Sequence, residues 1–503
     1  MFLRPLATGR DLCSVVGLLV LLFLASDRCL PAAEPVALGN RRELFVDSLL
    51  VERLSDAKIE LCEPRECEKV LELNAPWEGI FSAYTTVIRD GDRLRMYYRG
   101  GPAGNREDGT NAEVTCYAES VDGIHWTKPK LGLFDAGGTK DNNVILAGMA
   151  PASHNFTPFL DTRPGVPAEE RYKALANGPR FGEFDLSLSA FASADGIHWR
   201  KLRTEPVMGE KEVGGSWAFD SQNVAFWSAS EQQYLCYFRK VTNEFRGVSR
   251  TTSSDFVHWS PPEPMHYSNT GTTRSANQLY TNQTQPYFRA PHIYVATAAR
   301  FMPGRKVIDD AEARRIGVHP EYYNDTSDAV LMSSRGGTQY DCLFARGFLK
   351  PGIGVQNWVS RTNYPALNVV ETSPTEMSLY LQADYGQKSA HLRRYAMRLD
   401  GFAALRAPLT GGELLTRPIT FAGSRLLLNF ATSAAGDVRV EIQDPQGTPI
   451  EGYSLADASE LIGNEIERTY AWRAGCDVGS LAGRPVRVRF VLRDADLFSF
   501  QFQ

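Results

Sequence analysis

Four acidic residues lie near the ends of predicted strands and outside any repeated motif: Glu78, Asp161, Asp220 and Glu376. A pair of carboxyl groups can cleave a glycosidic bond, because one donates a proton to the leaving oxygen while the other attacks the sugar or activates water. Asp220 is the leading candidate, since it belongs to a polar cluster among aromatic residues at the opening of a strand (217–223). If two of these acids meet, they could perform such paired-carboxylate chemistry.

Each of these carboxylates also has an interpretation as a structural residue. Asp161 follows an apolar strand and could cap the next turn, while Glu78 could belong to a loop in which Trp77 packs on the rim. Glu376 begins an alternating strand, and Glu371 lies near enough in sequence to replace it. The pairing hypothesis therefore requires at least two of these five carboxylates to meet in one funnel, with carboxyl groups roughly 5 to 10 Å apart.

Polar and aromatic residues on the same predicted strands suit sugar binding, because rings pack against sugar C–H faces while Arg, Asn and Gln bond the hydroxyl groups. The candidates are Trp77, Arg99, Trp217, Gln222, Arg239, Asn282, Gln285, Arg289, His292 and Glu371. A place in the core is an equal alternative for Trp77 and Trp217. His292 and His154 are lone histidines, which more often make structural hydrogen bonds than act as catalysts.

A repeated phrase, Ser-x-Asp-Gly-x-x-Trp, reveals the elements that must position these residues. It occurs at 120–126, at 193–199 and, with Phe in place of Gly, at 253–259, with a degraded copy at 334–340 and a faint one at 398–401. Its aromatic positions are 73, 60 and 81 residues apart, which fits one four-stranded propeller blade with variable loops. Ser and Asp can bond turn amides and Gly accepts positive φ, so a structural role is predicted for every copy.

The strands around these phrases predict an all-β fold, a five-bladed β-propeller followed by a C-terminal β-sandwich. Five pairs of strands recur beside the phrases, and after Leu409 the sequence changes to strands with period-two alternation, as at 438–442. The predicted domains are a signal peptide at 1–33, an N-terminal segment at 34–75, a propeller at 76–409 and a sandwich at 410–503. The N-terminal segment could close the propeller, with a strand around 44–54 as the candidate.

This combination of repeats and sandwich resembles glycoside hydrolase families 32, 43 and 68, which include invertases, levanases and arabinanases. The last strand pair, 486–490 with 497–502, is similar to the end of the family 32 sandwich. The resemblance implies a site in the central funnel, where carboxylates converge from the innermost strands. The Trp-x-Asn-Asp-Pro-Asn-Gly and Arg-Asp-Pro phrases of family 32 do not occur intact, and no Glu-Cys phrase follows in a later blade. Ser82 occupies the slot of the first Asp of that family, so Glu78 would act from a different position.

Two other functions stay open at this point. A non-catalytic propeller that binds a glycan or a protein agrees with the missing family phrases. A sialidase-like enzyme is suggested because the repeated phrase is similar to the longer Asp box of sialidases, and Arg99, Arg239, Arg289 and Arg300 could supply the arginine triad of such enzymes. Five blades rather than six argue against this function, and it requires three arginines around the funnel.

Composition and the N-terminal residues predict where the protein works and what it binds. The net charge of −5 is spread along the 503 residues without a basic run, so nucleic acid is not a predicted partner. The resemblance to glycoside hydrolases implies a carbohydrate as the partner. Arg4 and Arg10 precede the apolar stretch 15–25, which predicts a cleaved signal peptide, export to a periplasm or beyond, and no stable membrane insertion afterwards.

The cysteines give no sign of a metal site or of a disulfide framework. No Cys/His spacing matches a zinc site, and neither a metal nor a cofactor is predicted. Cys62 and Cys67 could form a local disulfide, because they are close in sequence and export would permit it. Cys116 and Cys236 lie in apolar strands and are predicted to be buried free thiols.

Overall fold

A computed structural model describes residues 34–101, 108–179, 186–209, 213–214, 217–268, 278–342 and 346–503. The predicted signal peptide at 1–33 lies outside the described residues. Strands dominate the described chain, and its one α-helix, Asp310–Ile316, begins after Asp309, whose side chain accepts a hydrogen bond from the Glu312 amide at 2.8 Å. No described helix is long and apolar enough to span a membrane.

Five antiparallel sheets form the five blades. The blades are numbered in chain order, and the strands of each blade are given from the innermost outward. The first comprises Ala83–Asp90, Arg93–Gly100, Val114–Ser120 and Val144–Leu146. The second comprises Thr157–Leu160, Tyr172–Asn177 and Ser187–Ser193 with the short outer strands Arg200–Lys201 and Met208–Gly209. The third comprises Val224–Ser228, Gln233–Thr242, Phe245–Ser253 and Glu263–Pro264.

The fourth and fifth blades have inner strands in two pieces. The fourth comprises Leu279–Thr281 and Thr284–Tyr287, then Ala290–Met302 and Thr326–Ser334, with Gln339–Tyr340 paired in parallel to His266–Tyr267. The fifth comprises Tyr364–Pro365 and Val370–Ser373, then Glu376–Ala383, His391–Arg398 and Arg65–Glu72. Five blades are thus present, as the repeats predict.

The strand that closes the propeller is Arg65–Glu72, which pairs antiparallel with His391–Arg398 as the outer strand of the fifth blade. The closing strand thus lies in the predicted N-terminal segment 34–75, but its expected position around 44–54 is wrong. The segments there, Arg42–Leu44 and Val51–Ser55, pair instead with strands of the C-terminal domain. Half-buried strands of either sheet show the same alternation, so the pattern could not choose between them.

The C-terminal β-sandwich is built around two long strands, Leu426–Gln443 and Arg487–Phe502, which pair along most of their length and bulge near 432–437. Its other strands are Val36–Gly39, Lys58–Leu61, Ala403–Ala407, Gly412–Thr416, Ile419–Phe421 and Asn464–Thr469. Alternate residues such as Val438, Val440 and Ile442 enter one apolar core. The domain therefore takes in the N-terminal strands as well as the C-terminal ones.

The repeated phrase forms a turn in each full copy, which confirms its predicted structural role. In the first copy the Ser120 hydroxyl accepts a hydrogen bond from the Gly123 amide at 2.9 Å, and the Trp126 indole donates to the Gly123 carbonyl at 3.1 Å. Gly123 has φ 75°. In the third copy Phe256 takes the same left-handed conformation, with φ 69°, and its buried ring packs on Phe159. That contact offsets the backbone strain.

The turns make a prediction about stability and pH. Asp195→Ala is expected to lower the free energy of unfolding by about 1 kcal/mol near neutral pH, because Asp195 accepts bonds from the Ile197 and His198 amides but is half exposed to screening water. Burial would raise the pKa of Asp195, but bonds from the His198 side chain and these amides lower it to about 2.

The pH dependence follows from the direction of that shift. The folded pKa lies below the unfolded value of about 4, so the stabilisation is present above about pH 4 and is lost as the pH falls toward 2. Urea unfolding of the wild type and of Asp195→Ala should show curves that converge at low pH. The exposed Asp141→Ala, whose carboxylate contacts Lys130 at 2.8 Å, is the control. A difference that persists at about pH 2 would contradict this account.

The axis of the propeller is filled by hydrogen-bonded polar side chains from the inner strands. The Gln283 amide donates to the Gln222 side-chain oxygen at 2.7 Å and to the Pro365 carbonyl at 2.8 Å. Gln222 in turn donates to the Thr86 hydroxyl at 3.2 Å. These bonds join the first, third, fourth and fifth blades, and they give the space above them a fixed floor.

The described cysteines are all free thiols, so the possible disulfide between Cys62 and Cys67 is not formed. Cys116 and Cys236 are fully buried, as their apolar strands predict. Burial raises the pKa of the Cys62 thiol to about 11. This thiol is therefore held in its neutral form near neutral pH.

Candidate functional site

A cavity of about 260 Å³ lies where all five blades meet. Tyr84 comes from the first blade, His154 precedes the second, Arg239 belongs to the third, Tyr280 to the fourth and Arg361 precedes the fifth. The full lining is Tyr84, Asp108, His154, Trp217, Asp220, Arg239, Val241, Arg246, Tyr280, Phe301, Glu321, Tyr322, Asp325, Ser360 and Arg361. This central cavity is the candidate site, since convergent polar groups in a concavity are the usual form of a binding site.

Asp220 and Arg239 form an ion pair on one wall of the central cavity. The Arg239 side chain is only 4% exposed, while that of Asp220 is 37% exposed. Arg239 also lies 4.2 Å from the centre of the Tyr280 ring. The guanidinium is thus fixed from behind by the ring, and it holds the carboxylate where an incoming molecule can reach it.

Left-handed backbone conformations concentrate in this region. Tyr84, Trp217, Gln283, Arg361 and Asn363 have φ values of 56°, 66°, 49°, 60° and 70°, although none is glycine. The inner strand of the first blade also changes register between Ala83 and Thr86. Such strained residues and bulges re-aim side chains, and they cluster at functional sites.

Three arginines surround Tyr280. Arg239, Arg361 and Arg246 lie 4.2, 5.3 and 5.9 Å from the centre of its ring. Burial by itself would raise the pKa of the Tyr280 phenol, but the positive charges of Arg361 and Arg239 outweigh burial and lower the pKa below 10.0. This side of the central cavity is therefore strongly electropositive. The three arginines that a sialidase-like function requires are present here, two of them at positions that the sequence did not suggest.

A second charged cluster lies behind His154. The imidazole Nδ1 is 2.9 Å from the Glu113 carboxylate, and the Arg99 guanidinium is 3.6 Å from the same carboxylate and donates to the Phe81 carbonyl at 2.8 Å. Burial would raise the pKa of Glu113, but His154 and Arg99 lower it overall.

The same cluster has spacing that would allow a metal ion. Potential ligand atoms of Asp108, Glu113 and His154 lie within 4.8 Å of one another. However, the guanidinium of Arg99 already faces the Glu113 carboxylate and lies 3.1 Å from His154 Nδ1. A buried positive charge at this place disfavours a cation. We therefore assign Glu113 and Arg99 a structural role behind the cavity wall, where they hold His154, while Asp108 and His154 line the cavity itself.

The predicted site residues divide between this cavity and other places. Asp220, Arg239 and Trp217 line the cavity, and Trp217 is 48% exposed. Arg99 lies behind the cavity wall, in contact with His154. The aromatic cluster around Asp220 therefore does locate part of the site.

The three other proposed catalytic carboxylates do not line the central cavity, so the expected convergence of paired acids is not observed for them. Asp161 bonds the Lys173 ammonium and the Tyr234 hydroxyl, both at 2.6 Å. The Glu78 carboxylate accepts from the Tyr98 hydroxyl at 2.6 Å and from Lys128 at 2.7 Å. Glu376 pairs with Arg394 at 2.8 Å and with Arg65 at 3.0 Å. Each is held in a separate ion pair, which explains its conformation without a substrate.

The remaining predicted binding residues also have partners elsewhere. Three are packed around the axis. Gln222 donates to the Thr86 hydroxyl of the first blade. Asn282 donates to the Tyr237 carbonyl at 3.3 Å, and Gln285 accepts from the Val369 amide at 3.0 Å. Arg289 and His292 join the propeller to the N-terminal and C-terminal strands through Asp400 at 3.1 Å and Glu43 at 3.1 Å. The Trp77 indole donates to Asn143 at 2.7 Å, and the Glu371 carbonyl accepts from Arg89 at 2.5 Å. None of these seven lines the cavity.

Sequence reasoning missed several residues that line the central cavity: Asp108, Arg246, Glu321, Asp325 and Arg361. Glu321 and Asp325 belong to the insertion between Ala290–Met302 and Thr326–Ser334. One signal could have found this insertion, since the 81-residue step before the degraded phrase is the longest in the repeat. No signal in a single sequence identifies Arg361, which lies in a loop outside the repeat.

Comparisons with known proteins give distant structural matches and no family assignment. No family model and no curated protein matches this sequence. A solved glycoside hydrolase is 10% identical over 67% of this chain and 92% of its own, with a TM-score of 0.44. A fructofuranosidase variant of Schwanniomyces occidentalis complexed with fructosylnystose is 10% identical over 86% of this chain and 96% of its own, with a TM-score of 0.40.

A family 32 β-fructofuranosidase of Bombyx mori is 9% identical over 87% of this chain and 94% of its own, with a TM-score of 0.41. The present chain is a five-bladed β-propeller with a C-terminal β-sandwich. These distant likenesses assign no role to any residue of the central cavity.

Proposed function

We propose that this protein is a glycosidase that cleaves a glycan in the central cavity, with Asp220 as one of its two acting carboxylates. The observation that supports this function is that four carboxylates line one cavity: Asp108, Asp220, Glu321 and Asp325. They come from different parts of the propeller. A sugar placed among them could meet a proton donor on one side of its glycosidic oxygen and a carboxylate on the other.

The rest of the lining suits a sugar. Tyr84, Trp217 and Phe301 offer ring surfaces, while Arg239 and Ser360 can bond hydroxyl groups. The volume of about 260 Å³ is small beside the roughly 300 to 1,000 Å³ of pockets that enclose drug-sized ligands. We therefore infer that the cavity accepts the end of a glycan chain and releases a short product.

The second candidate function is glycan binding without hydrolysis. One specific observation favours it, namely that Asp161, Glu78 and Glu376 are held in ion pairs outside the cavity. In that function the aromatic rings and arginines would hold a glycan end, and the cavity carboxylates would accept hydroxyl hydrogen bonds. The two candidates share the ligand and differ only in the reaction.

The test is to incubate the purified full-length protein with a panel of polysaccharides and oligosaccharides, and to measure both binding and released product. The glycosidase hypothesis expects a short product from at least one glycan, and loss of that product in Asp220→Asn. Binding without product release from any glycan would support the second candidate instead. Full product release by Asp220→Asn would overturn the assignment of Asp220.

A further inference from the structure

The arginines around Tyr280 come from different elements and face one place. Arg239 lies on the strand Gln233–Thr242, Arg246 lies on the strand Phe245–Ser253, and Arg361 lies in the loop that leads to the fifth blade. All three line the central cavity. Three guanidinium groups gathered from separate elements form a cluster that repels itself unless an anion is present.

The charges of this cluster are only partly balanced. Asp220 pairs with Arg239. Arg246 donates to the neutral amide oxygen of Gln278 at 2.8 Å, and Arg361 donates to the Tyr322 hydroxyl at 3.1 Å. In the described part of the chain, neither Arg246 nor Arg361 forms an ion pair with a carboxylate. Two positive charges in a confined space are therefore left for a ligand.

The titration of Arg246 agrees with this imbalance. Burial lowers the pKa of the Arg246 guanidinium, and the neighbouring charge of Arg239 lowers it further. Burial and a like charge both disfavour the charged form of Arg246. Burial would lower the pKa of Arg361 too, but the surrounding tyrosines raise it overall. A bound anion would relieve both effects at Arg246.

The other carboxylates of the cavity do not neutralise the arginines directly. Asp325 accepts a bond from the Gly304 amide at 2.6 Å, and Glu321 is exposed at the start of the segment that leads to Asp325. The cavity thus has an electropositive side at Tyr280 and an acidic side on the insertion. A ligand with an anionic group at one position and a glycosidic oxygen at another would satisfy both sides.

The backbone at Arg361 supports a binding role for its side chain. Arg361 has φ 60°, a left-handed conformation that costs a non-glycine residue of order 1 kcal/mol or more. Its guanidinium lies 4.8 Å from the centre of the Tyr322 ring as well as 5.3 Å from that of Tyr280. The chain accepts strain at this point and fixes the guanidinium between two aromatic rings, which is the form of a pre-organised anion contact.

We propose that Arg239, Arg246 and Arg361 bind the carboxylate or sulfate group of an acidic sugar unit, so that the ligand of the central cavity is an acidic glycan. This inference rests on the proposed function in that it takes the cavity to hold a sugar. Guanidinium groups suit both anions, because their parallel N–H donors match paired oxygens. The inference assigns a role to charges that a neutral glycan would leave unbalanced.

The test compares acidic glycans with matched neutral ones by titration calorimetry on the full-length protein. The ligands are oligouronates, the same oligosaccharides after reduction of their carboxyl groups, and a sulfated oligosaccharide with its desulfated form. The proteins are the wild type, Arg361→Gln, Arg246→Gln and, as the control, Arg315→Gln on the exposed face of the helix Asp310–Ile316. Thermal unfolding of each variant checks that it folds.

We expect each cavity variant to weaken binding of the acidic form about 10- to 100-fold, which is the cost of one charged hydrogen-bonded contact, and to leave the neutral form unchanged. The uronate and sulfate arms show which anion is preferred. Equal wild-type binding of acidic and neutral forms would overturn the inference. Equal losses of affinity for both forms in Arg246→Gln would overturn it too. Arg246 is the less buried of the two sites, so its variant decides the question if Arg361→Gln does not fold.

The two proposals fail in different ways. Acidic glycans that bind in an arginine-dependent manner but release no product would leave the anion site standing and remove the hydrolase function. If instead the wild type hydrolyses neutral glycans, and this hydrolysis is lost in Asp220→Asn but unchanged in Arg361→Gln, the hydrolase function stands and the anion site is removed.

Discussion

Replacing Asp220 by Asn is expected to lower the rate of glycan hydrolysis by about 10²- to 10⁴-fold, the usual contribution of a positioned acid, base or nucleophile. The reason is geometric. Asp220 is the carboxylate that Arg239 holds against the open space of the central cavity, and its side chain is 37% exposed there. Asn keeps an oxygen that can accept the bond from Arg239, so the substitution removes the charge while it preserves the contact.

The measurement is steady-state kinetics on a glycan that the wild type cleaves. A group that acts on the reacting atoms should lower kcat with little change in KM, whereas a group that only holds the substrate should raise KM. Asp141→Asn is the matched control, because the Asp141 carboxylate is exposed and bonds only Lys130 among the described residues. An unchanged kcat in Asp220→Asn would exclude Asp220 from the reaction.

The partner of Asp220 can be found in the same way. Asp108→Asn, Glu321→Gln and Asp325→Asn each remove one carboxyl charge from the lining of the central cavity. The variant whose kcat falls as far as that of Asp220→Asn identifies the second acting group. The two others should alter KM alone, since they would touch only the substrate hydroxyl groups.

Much of the fold could be predicted because each blade repeats the same local chemistry. The Ser-x-Asp-Gly-x-x-Trp phrase makes its turn from bonds within seven residues, so its Asp and His positions could be excluded from the site. The closing strand could not be located, since Arg65–Glu72 and Val51–Ser55 carry similar patterns and only tertiary pairing separates them.

The position of a carboxylate along its inner strand explains which of the predicted acids lines the central cavity. Asp220 precedes the inner strand Val224–Ser228 and lies where the blades meet. Asp161 follows the inner strand Thr157–Leu160 and so lies at the opposite end of its inner strand. Four residues of strand separate the two ends by roughly 13 Å. The sequence showed both as acids beside apolar strands, and only the direction of the strand relative to the axis decides between them.

The arginines show the limit of inference from one sequence. Arg239 was found because it ends a predicted strand, but Arg246 and Arg361 have no neighbours in sequence that suggest a site. They meet Tyr280 only because three elements fold onto the same axis. Contacts between residues so far apart in sequence depend on blade packing, which local patterns do not encode.

The second large effect concerns Asp161, for which the structure indicates a role in stability. Asp161→Ala is expected to lower the free energy of unfolding by about 3 kcal/mol, near the lower end of the range for breaking a buried ion pair. Asp161 and Lys173 are almost completely buried, and their charged atoms lie 2.6 Å apart. The loss is moderated because Glu170 remains 3.4 Å from the Lys173 ammonium.

A double variant separates this role from catalysis. Asp161→Leu with Lys173→Met removes both charges, and exchanging a buried ion pair for apolar side chains is often neutral. Urea unfolding should therefore show that the double variant regains most of the stability that Asp161→Ala loses. A triple variant that also carries Tyr234→Phe should regain more, because it removes the hydroxyl that would lack its partner. Hydrolysis should return with stability, because the pair lies outside the central cavity. If Asp161 acted on the substrate, the double variant would fold and remain inactive.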